Sequence, residues 1–315
     1  MYTGKRFLLI AGGGTLGTHV YRELLSLGAT VDVICLEDTV SDNERLTFYR
    51  EYVSEELLRA LFKKHKYDGI VNFMIYTSVE EYKPIHELLS ANTEHLIFLS
   101  SYRVYADLEH PIVETSPRLL DTSFDREFLE NEKYAVAKAV LEDYITKESS
   151  TKNWTIVRPV ISFSKRRFDI AMCSNHEVEE KALSGEPIIM PIGTRDKTAG
   201  IDWSGNVGKI IAHLFLKPDT FGEAYTISSA QNLTWGEIAD IYTDILGVKF
   251  KWISDEEYIE KYLEQRRKWI FIYDRLFDRK IDNSKVLRAT GLSKSDFKSI
   301  RWGVEAELRL AGAIK

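Results

Sequence analysis

The fold is decided near the N-terminus, by the stretch Phe7-Leu8-Leu9-Ile10-Ala11-Gly12-Gly13-Gly14-Thr15-Leu16-Gly17. Its apolar start predicts a buried strand, and the pattern over residues 18–27 predicts a helix that ends at Gly28. The glycines between them fit the spacing G-x-G-x-x-G, which lets backbone approach a pyrophosphate at the positive end of a helix. We therefore predict dinucleotide contacts at Gly12, Gly14, Thr15, Leu16 and Gly17. A glycine turn that serves packing alone is the other explanation.

Apolar runs alternate with helical patterns through the first half of the chain. Strands are predicted at residues 31–36, 69–75, 95–100 and 155–160, and helices at 54–62 and 127–146. Helices at 178–184, 205–215 and 234–246 and short strands at 188–192 and 224–227 follow. This alternation predicts the α/β class, with a Rossmann doubly wound parallel sheet and a smaller, mainly helical C-terminal substrate domain. The predicted cofactor domain covers residues 1–160, with returning elements around 200–230, and the substrate domain covers 161–315.

Composition excludes several classes of protein. The chain has 315 residues, 44% hydrophobic and 29% charged, which is typical of an ordinary globular protein. A net charge of −6 argues against nucleic acid as a partner. No segment has the length and apolarity of a membrane span or a signal peptide, and the seven histidines show no metal-ligand spacing. We expect a cytoplasmic protein with no catalytic metal.

A second motif, Tyr134-Ala135-Val136-Ala137-Lys138, places a phenol and an ammonium one helical turn apart. A free phenol is a poor acid or base at neutral pH, and a nearby cation makes the phenolate easier to form. The pair predicts a proton relay for oxidation of an alcohol or reduction of a carbonyl. Ser101 follows a predicted strand, so its hydroxyl would lie at the carboxyl edge of the sheet, where ligands of such folds bind. A surface tyrosine and lysine on an amphipathic helix is the alternative reading.

The order of several motifs resembles the extended short-chain dehydrogenase/reductases, of the NAD-dependent epimerase/dehydratase kind that includes nucleotide-sugar epimerases. The matching segments are the glycine loop, Ser100–Tyr105, Glu114–Pro117, Tyr134–Lys138, Arg158-Pro159, Ile201-Asp202-Trp203, Tyr225–Ser228, Leu233-Thr234-Trp235 and Asp282-Asn283-Ser284-Lys285. The resemblance implies that Ser101 polarises the substrate oxygen and that Tyr134 is the acid/base. Lys138 would hold the nicotinamide ribose, with Ser100 as a further cofactor contact. It also implies NAD, a nucleotide-sugar substrate and a homodimer with the 127–146 helix at its interface.

The chain departs from the family pattern at the cofactor site. Ala11 stands at the family's first glycine, and Cys35 stands where a ribose-binding aspartate is usual. Glu37, twenty residues after Gly17, is the remaining candidate for the ribose. A carboxylate there favours NAD and leaves NADP possible, whereas Glu37 could equally begin a solvated loop.

Substrate recognition departs from the pattern as well. Nucleotide-sugar enzymes carry an arginine just before a Gly-Asp step, but here that stretch is Phe271-Ile272-Tyr273-Asp274. Arg275 and Arg279 follow closely, and a guanidinium suits bidentate contact with phosphate. We take Arg103, Arg166 and Arg279 as candidate substrate residues, although charged segments are often only solvated surface.

The sequence therefore predicts an NAD(P)-dependent enzyme that acts on a hydroxyl or keto group of a sugar, in nucleotide-linked form. Epimerisation, keto-reduction and dehydration all begin with hydride transfer. Dehydratases often carry an acid directly after the catalytic Ser or Thr, whereas Tyr102 and Arg103 stand here, which favours an epimerase or keto-reductase. The alternative is a non-catalytic NAD(P) sensor or RNA-associated protein on the same fold.

Overall fold

A seven-stranded parallel sheet forms the centre of the protein in the computed structural model, which describes residues 1–164, 167 and 170–314. Its strands are β1 (Arg6–Ile10), β2 (Thr30–Cys35), β3 (Leu46–Arg50), β4 (Tyr67–Asn72), β5 (Thr93–Leu99), β6 (Trp154–Pro159) and β10 (Glu223–Ile227). They lie in the order β10-β6-β5-β4-β1-β2-β3. The chain thus winds outward from β1 in both directions, and the predicted fold class is confirmed.

Two small parallel pairs lie outside this sheet. β7 (Ile161–Phe163) pairs with β9 (Ile201–Trp203), and β8 (Ile188–Pro191) pairs with β11 (Phe250–Ile253). β7 follows β6 after one residue. The chain then leaves the sheet and returns to it as β10, which pairs with β6.

Helices cover the sheet and make up most of the C-terminal part. They are α1 (Thr15–Ser26), α2 (Glu55–Lys64), α3 (Val79–Ser90), α4 (Leu119–Thr122), α5 (Arg126–Asn131), α6 (Ala135–Glu148), α7 (Asn175–Ser184), α8 (Ser204–Leu214), α9 (Trp235–Leu246), α10 (Asp255–Lys261), α11 (Lys268–Ile270), α12 (Ser284–Thr290) and α13 (Ile300–Leu310). α1 begins at Thr15, three residues before its predicted start, so the glycine loop leads directly into the helix.

Central strands are buried on both faces, as expected when helices flank a parallel sheet. Phe7, Leu8, Leu9 and Ile10 of β1 are fully buried. Asp32 is also buried, but its carboxylate accepts hydrogen bonds from Arg6 and from the Tyr67 hydroxyl. The polar group inside the sheet is therefore paired. The candidate site lies elsewhere, at the carboxyl edge of the strands.

The prediction of one continuous helix over residues 127–146 is wrong. α5 ends at Asn131 and α6 begins at Ala135. The side chain of Glu132 accepts the N–H groups of Tyr134 and Val136, at 3.0 and 3.1 Å. These N–H groups would bond to carbonyl oxygens four residues earlier in an unbroken helix. Hydrogen bonds to the Glu132 side chain therefore replace the helical ones, and Tyr134 is the residue directly before α6.

Three elements of the first half were not predicted: β3, α3 and the short α4. β3 is a half-exposed edge strand with a charged residue, Arg50, and lacks a clear apolar run. α3 contains Pro84, which argues against a helix in sequence. Its start is nevertheless capped by the Ser78 hydroxyl, which accepts the Glu81 N–H.

Candidate functional site

The glycine loop joins β1 to α1 at the carboxyl edge of the sheet. The Gly12 N–H donates to the carbonyl oxygen of Ile34 at 3.1 Å, which ties the loop to β2. Ala11 lies in the left-handed region, with φ of 54°. This conformation favours glycine, which explains why the family pattern has a glycine at that position.

Packing explains why glycine is required at two of the three predicted loop positions, but it does not explain the third. A β-carbon on Gly12 would lie 2.6 Å from Leu9 Cβ, and one on Gly17 would lie 2.7 Å from the Cα of Gly12. A β-carbon on Gly14 would have no described atom within 4 Å. A turn that serves packing alone therefore accounts for Gly12 and Gly17 but not for Gly14, which faces open space.

The first turn of α1 offers backbone donors to that space. None of the described side chains caps the helix at Gly14. The Thr18 hydroxyl instead donates to the Gly14 carbonyl oxygen at 2.8 Å. Thr15 and Leu16 line the adjoining cleft. The N–H groups at the start of a helix have no partner within it, and together with the helix dipole they suit a pyrophosphate.

A second cavity of about 420 Å³ lies on the β2 side of the loop. Its lining is Ala11, Gly14, Ile34, Cys35, Leu36, Glu37, Glu51, Tyr52, Val53 and Met74. The carboxylate of Glu37 lies so close to Gly13 that a β-carbon there would clash with it. A largely apolar cavity with the Glu37 carboxylate next to the glycine loop fits an adenosine and its ribose. Glu37 thus brings an acid to the loop although Cys35 occupies the usual position.

Ser101 and Tyr134 line a cleft of about 370 Å³ together with Thr15 and Leu16. The other lining residues are Ile75, Leu99, Ser100, Tyr102, Arg103, Pro159, Val160, Ile161, Ser162 and Arg167. The cleft is therefore walled by the start of α1, by the loop after β5 and by the turn before α6. Thr15, Leu16 and Ser100, predicted for the cofactor, therefore lie in one cleft with Ser101 and Tyr134, predicted for proton transfer. Lys138 is buried behind this lining.

The two serines after β5 have different partners. The Ser101 hydroxyl accepts the Arg103 N–H at 3.2 Å and begins a short 3₁₀ turn over Tyr102–Val104. The Ser100 hydroxyl donates to the buried carboxylate of Glu142 at 2.5 Å. Glu142 also receives two hydrogen bonds from Arg158. Ser101 faces the cleft with a hydroxyl that can still donate, whereas the Ser100 hydroxyl belongs to a buried ionic network.

Tyr134 and Lys138 lie one turn apart, as predicted. The ammonium of Lys138 is 5.9 Å from the centre of the Tyr134 ring and donates to the Leu99 carbonyl oxygen at 2.7 Å. Burial lowers the pKa of Lys138 to about 8, with the negative charge of Glu142 acting in the opposite direction. A buried ammonium next to a half-buried phenol is the arrangement expected of a proton relay.

The three candidate substrate arginines have different surroundings. Arg103 lines the cleft, and its guanidinium lies 5.2 Å from the Tyr134 ring centre. Arg279 is not brought to the cleft: its side chain is 1% exposed and donates to Asp274 and to the carbonyl oxygens of Tyr105 and Tyr273. Arg166 lies outside the described residues.

Three acidic residues at this site were missed in the sequence: Glu132, Asp274 and Glu142, the partner of Ser100. Glu132 connects Arg103 to the start of α6. Asp274 accepts both the Tyr102 hydroxyl and Arg279. Burial acts to raise the pKa of Asp274, but Arg275, Arg279 and Arg103 outweigh it and hold this pKa below its ordinary value. The spacing of Asp274 and Arg279, five residues apart around a kinked turn, gives no helical signal for such a pair.

Comparison with known families is consistent with this geometry. The model of the NAD dependent epimerase/dehydratase family matches residues 8–197, which is more than half of the chain. The chain belongs to this family. The match includes the glycine loop, Ser101, Tyr134 and Lys138. A comparison with curated proteins found no match.

Solved structures of similar fold include both epimerases and dehydratases. An epimerase from Methanothermobacter thermautotrophicus has a TM-score of 0.72 at 17% identity, over 99% of this chain and 93% of that one. A UDP-glucose 4-epimerase from Stenotrophomonas maltophila, with bound NAD and formylated UDP-arabinopyranose, has 0.72 at 14%, over 98% of each chain. A dTDP-glucose 4,6-dehydratase from Bacillus anthracis, in complex with NAD, has 0.68 at 14%, over 98% and 97%.

These comparisons confirm the predicted family, fold class and cofactor, NAD. They place the chain among enzymes of the NAD-dependent epimerase/dehydratase type, a group that contains both activities. None of the helices in the described ranges has the length and apolarity to cross a membrane.

Proposed function

We propose that this protein is an NAD-dependent enzyme that transfers hydride at a hydroxyl or keto carbon of a sugar, with Ser101, Tyr134 and Lys138 as its proton relay. One observation carries the proposal. Ser101 and Tyr134 line the same cleft as Thr15 and Leu16 at the start of α1. A group held at the glycine loop would therefore reach a site where a hydroxyl donor and a phenol converge.

Each of these residues has a distinct task. The Ser101 hydroxyl donates a hydrogen bond to the substrate oxygen, and the Tyr134 phenol gives or takes the proton of that oxygen. The Lys138 ammonium is held near the Tyr134 ring by its bond to Leu99. In the proposal it would stabilise the phenolate and contact the ribose. Bound NAD would supply the hydride chemistry. The first turn of α1 holds the pyrophosphate, and Glu37 holds the ribose hydroxyls.

The finer assignment is to epimerisation or keto-reduction of a nucleotide-linked sugar. The position directly after Ser101 holds Tyr102, whose hydroxyl is bound to Asp274, and not the acid of a dehydratase. Similar structures contain UDP-glucose or UDP-glucuronic acid. Arg103 lines the cleft next to the Tyr134 ring, and its guanidinium would contact the substrate. Arg166 stays a candidate, and Arg279 would act only from behind the cleft.

A substrate assay with a single hydroxyl deletion tests the proposal. Purified protein is incubated with NAD and with UDP-glucose, UDP-glucuronate or dTDP-glucose, and the products are analysed by mass spectrometry and NMR. We expect turnover of at least one sugar, and Tyr134→Phe should reduce it about 100-fold or more while NAD still binds. Tyr262→Phe, at a half-exposed tyrosine of the C-terminal part, is the control. Unchanged turnover in Tyr134→Phe would reject the relay.

The cofactor that co-purifies separates the two activities. Tightly held NAD that is regenerated within each turnover indicates an epimerase, whereas a readily exchanged reduced cofactor indicates a reductase. We also propose a cytoplasmic homodimer, with α6 at the interface. Analytical ultracentrifugation of the NAD complex tests the dimer, and a monomer at all concentrations would reject it.

A further inference from the structure

The turn between α5 and α6 places a carboxylate against the backbone N–H of the predicted catalytic tyrosine. Glu132 follows α5, and its side chain is 6% exposed. One carboxylate oxygen accepts the N–H groups of Tyr134 and Val136. The N–H group of the tyrosine is thus held by a side chain two residues earlier, while its carbonyl oxygen accepts the Lys138 N–H of α6 at 2.9 Å.

The other oxygen of Glu132 connects this turn to the loop after β5. It accepts a hydrogen bond from Arg103 at 3.1 Å. The same guanidinium lies over the Tyr134 ring, 5.2 Å from its centre, and its Nε lies 3.8 Å from an Asp274 oxygen. Glu132 therefore holds the backbone of Tyr134 directly and the face of its ring through Arg103.

Helix capping alone does not explain this arrangement. A cap needs only an oxygen near the first N–H groups, whereas Glu132 uses its second oxygen on a residue from another element. Arg103 comes two residues after Ser101, so the contact also fixes the separation of the two cleft walls that carry Ser101 and Tyr134. Proton transfer requires the two groups within hydrogen-bond reach of one substrate oxygen.

We propose that Glu132 is a positioning residue, which through its own hydrogen bonds and through Arg103 sets the Tyr134 phenol against Ser101. The inference rests on the proposed function for its kinetic consequence but not for its structural one. Glu132 stays outside the cleft lining, so it acts on turnover through Tyr134. Removing its charge should lower kcat and leave KM almost unchanged.

Two measurements on the full-length NAD complex test this inference. In protein labelled with ¹³C at the tyrosine ζ position, the Tyr134 resonance is assigned by its loss in Tyr134→Phe. We expect a single narrow line in the wild type and a shifted, broadened line in Glu132→Gln, Glu132→Ala and Arg103→Lys. Glu130→Gln removes the same charge from the exposed end of α5 and should leave the line unchanged.

Kinetics on a sugar that the substrate assay identifies provides the second measurement. Glu132→Gln should lower kcat about 10-fold or more, with KM changed less than about 2-fold, since small misplacement of a reacting group has effects of this size. Glu130→Gln should match the wild type. Glutamine keeps an oxygen for the helix N–H groups, so Glu132→Gln remains informative if Glu132→Ala does not fold.

The outcomes separate the inference from the proposed function. An unchanged Tyr134 line and unchanged kcat in Glu132→Gln would overturn the inference, with the enzyme intact. A raised KM at constant kcat in Arg103→Lys, with no change in Glu132→Gln, would also overturn it and make Arg103 a substrate contact only. If no sugar is turned over by the wild type, the proposed function fails, and the NMR measurement alone decides the role of Glu132.

Discussion

The carboxylate of Asp274 accepts a hydrogen bond from the Tyr102 hydroxyl at 2.7 Å, although 172 residues separate them in the chain. Tyr102 lies directly after Ser101, in the loop that walls the cleft. Asp274 also pairs with Arg275 and Arg279, which are buried as well. A single carboxylate of the C-terminal part therefore holds in place the loop that carries Ser101, which is predicted to polarise the substrate oxygen.

Asp274→Asn should destabilise the protein strongly. The substitution leaves Arg275 and Arg279 buried with their shared counter-charge removed, and breaking such a group costs about 3–5 kcal/mol of the free energy of unfolding. Urea denaturation measures the loss. Asp244→Asn, which breaks an exposed pair with Arg301, is the control and should have little effect. Equal unfolding midpoints for the two variants would contradict this account of Asp274.

Alanine at two loop glycines should separate folding from cofactor binding. At Gly17 the new β-carbon would press on the Gly12 backbone, and overpacking of this kind costs about 1–3 kcal/mol. At Gly14 it would enter open space, so stability should be kept while NAD binding is lost. Thermal unfolding without NAD and calorimetric titration with NAD make the comparison. Normal NAD affinity in Gly14→Ala would show that the pyrophosphate does not approach there.

Glu37→Gln should weaken the preference for NAD over NADP. The carboxylate beside Gly13 can accept both ribose hydroxyls and repels a 2′-phosphate. A hydrogen bond to a charged group contributes about 1.5–3 kcal/mol, so NAD affinity should fall roughly 10-fold or more while that for NADP is maintained or rises. Asp38→Asn, at an exposed neighbour paired with Arg50, should bind both cofactors as the wild type does. The same ratio of affinities in all three proteins would exclude Glu37 from the ribose site.

Lys138→Met should make the protein more stable and inactive. Burial lowers the pKa of Lys138 to about 8, from an ordinary value near 10.5, so its charged form is disfavoured in the folded state. Each unit of pKa shift corresponds to about 1.4 kcal/mol, and methionine should raise the free energy of unfolding at pH 7 by roughly 1–3 kcal/mol. Between pH 8 and 10.5 the unfolded chain binds more protons than the folded one. The free energy of unfolding of the wild type should therefore rise as the pH increases from 8 to 10.5, whereas that of the variant should not. A destabilised Lys138→Met would mean that the bond to Leu99 outweighs the burial of charge.

His95 should make the folded state sensitive to acid. The Leu216 N–H donates to His95 Nδ1 at 2.9 Å, which leaves Nε2 protonated and within 2.8 Å of the Thr155 hydroxyl. Burial lowers the pKa of His95 to about 3. The unfolded chain takes up this proton near pH 6.5, so stability falls as the pH drops from 6.5, by about 1.4 kcal/mol per unit. Denaturation between pH 4 and 7 should show a smaller slope in His95→Gln, and parallel slopes would contradict the assignment.

Local signals in the sequence were enough to predict the cofactor half of the candidate site. The glycine spacing follows from backbone geometry within one βαβ unit, and the Tyr134–Lys138 spacing follows from the helix repeat. Both are encoded by residues close in the chain. The same reasoning located Glu37, whose carboxylate does lie against the loop.

Contacts between distant segments were beyond that reasoning. The residues around Glu132 are good helix formers, so a continuous helix was expected. The break depends on the carboxylate that caps α6 and on Arg103, which belongs to another element. Arg279 looked available for a phosphate because its partner Asp274 gives no periodic signal. Which charges a protein buries against each other is settled by packing, and a single sequence does not display it.

The return of β10 to the sheet has a consequence for biosynthesis. β6 is buried along its whole length, and the described strand that pairs with its outer edge, β10, follows a long excursion of the chain. Until the ribosome has delivered residues up to Ile227, the nascent protein therefore presents an apolar, unpaired strand edge, the kind of surface that aggregates. A truncated chain that ends between β6 and β10 would contain every glycine of the loop and would still be bound by chaperones and degraded by proteases.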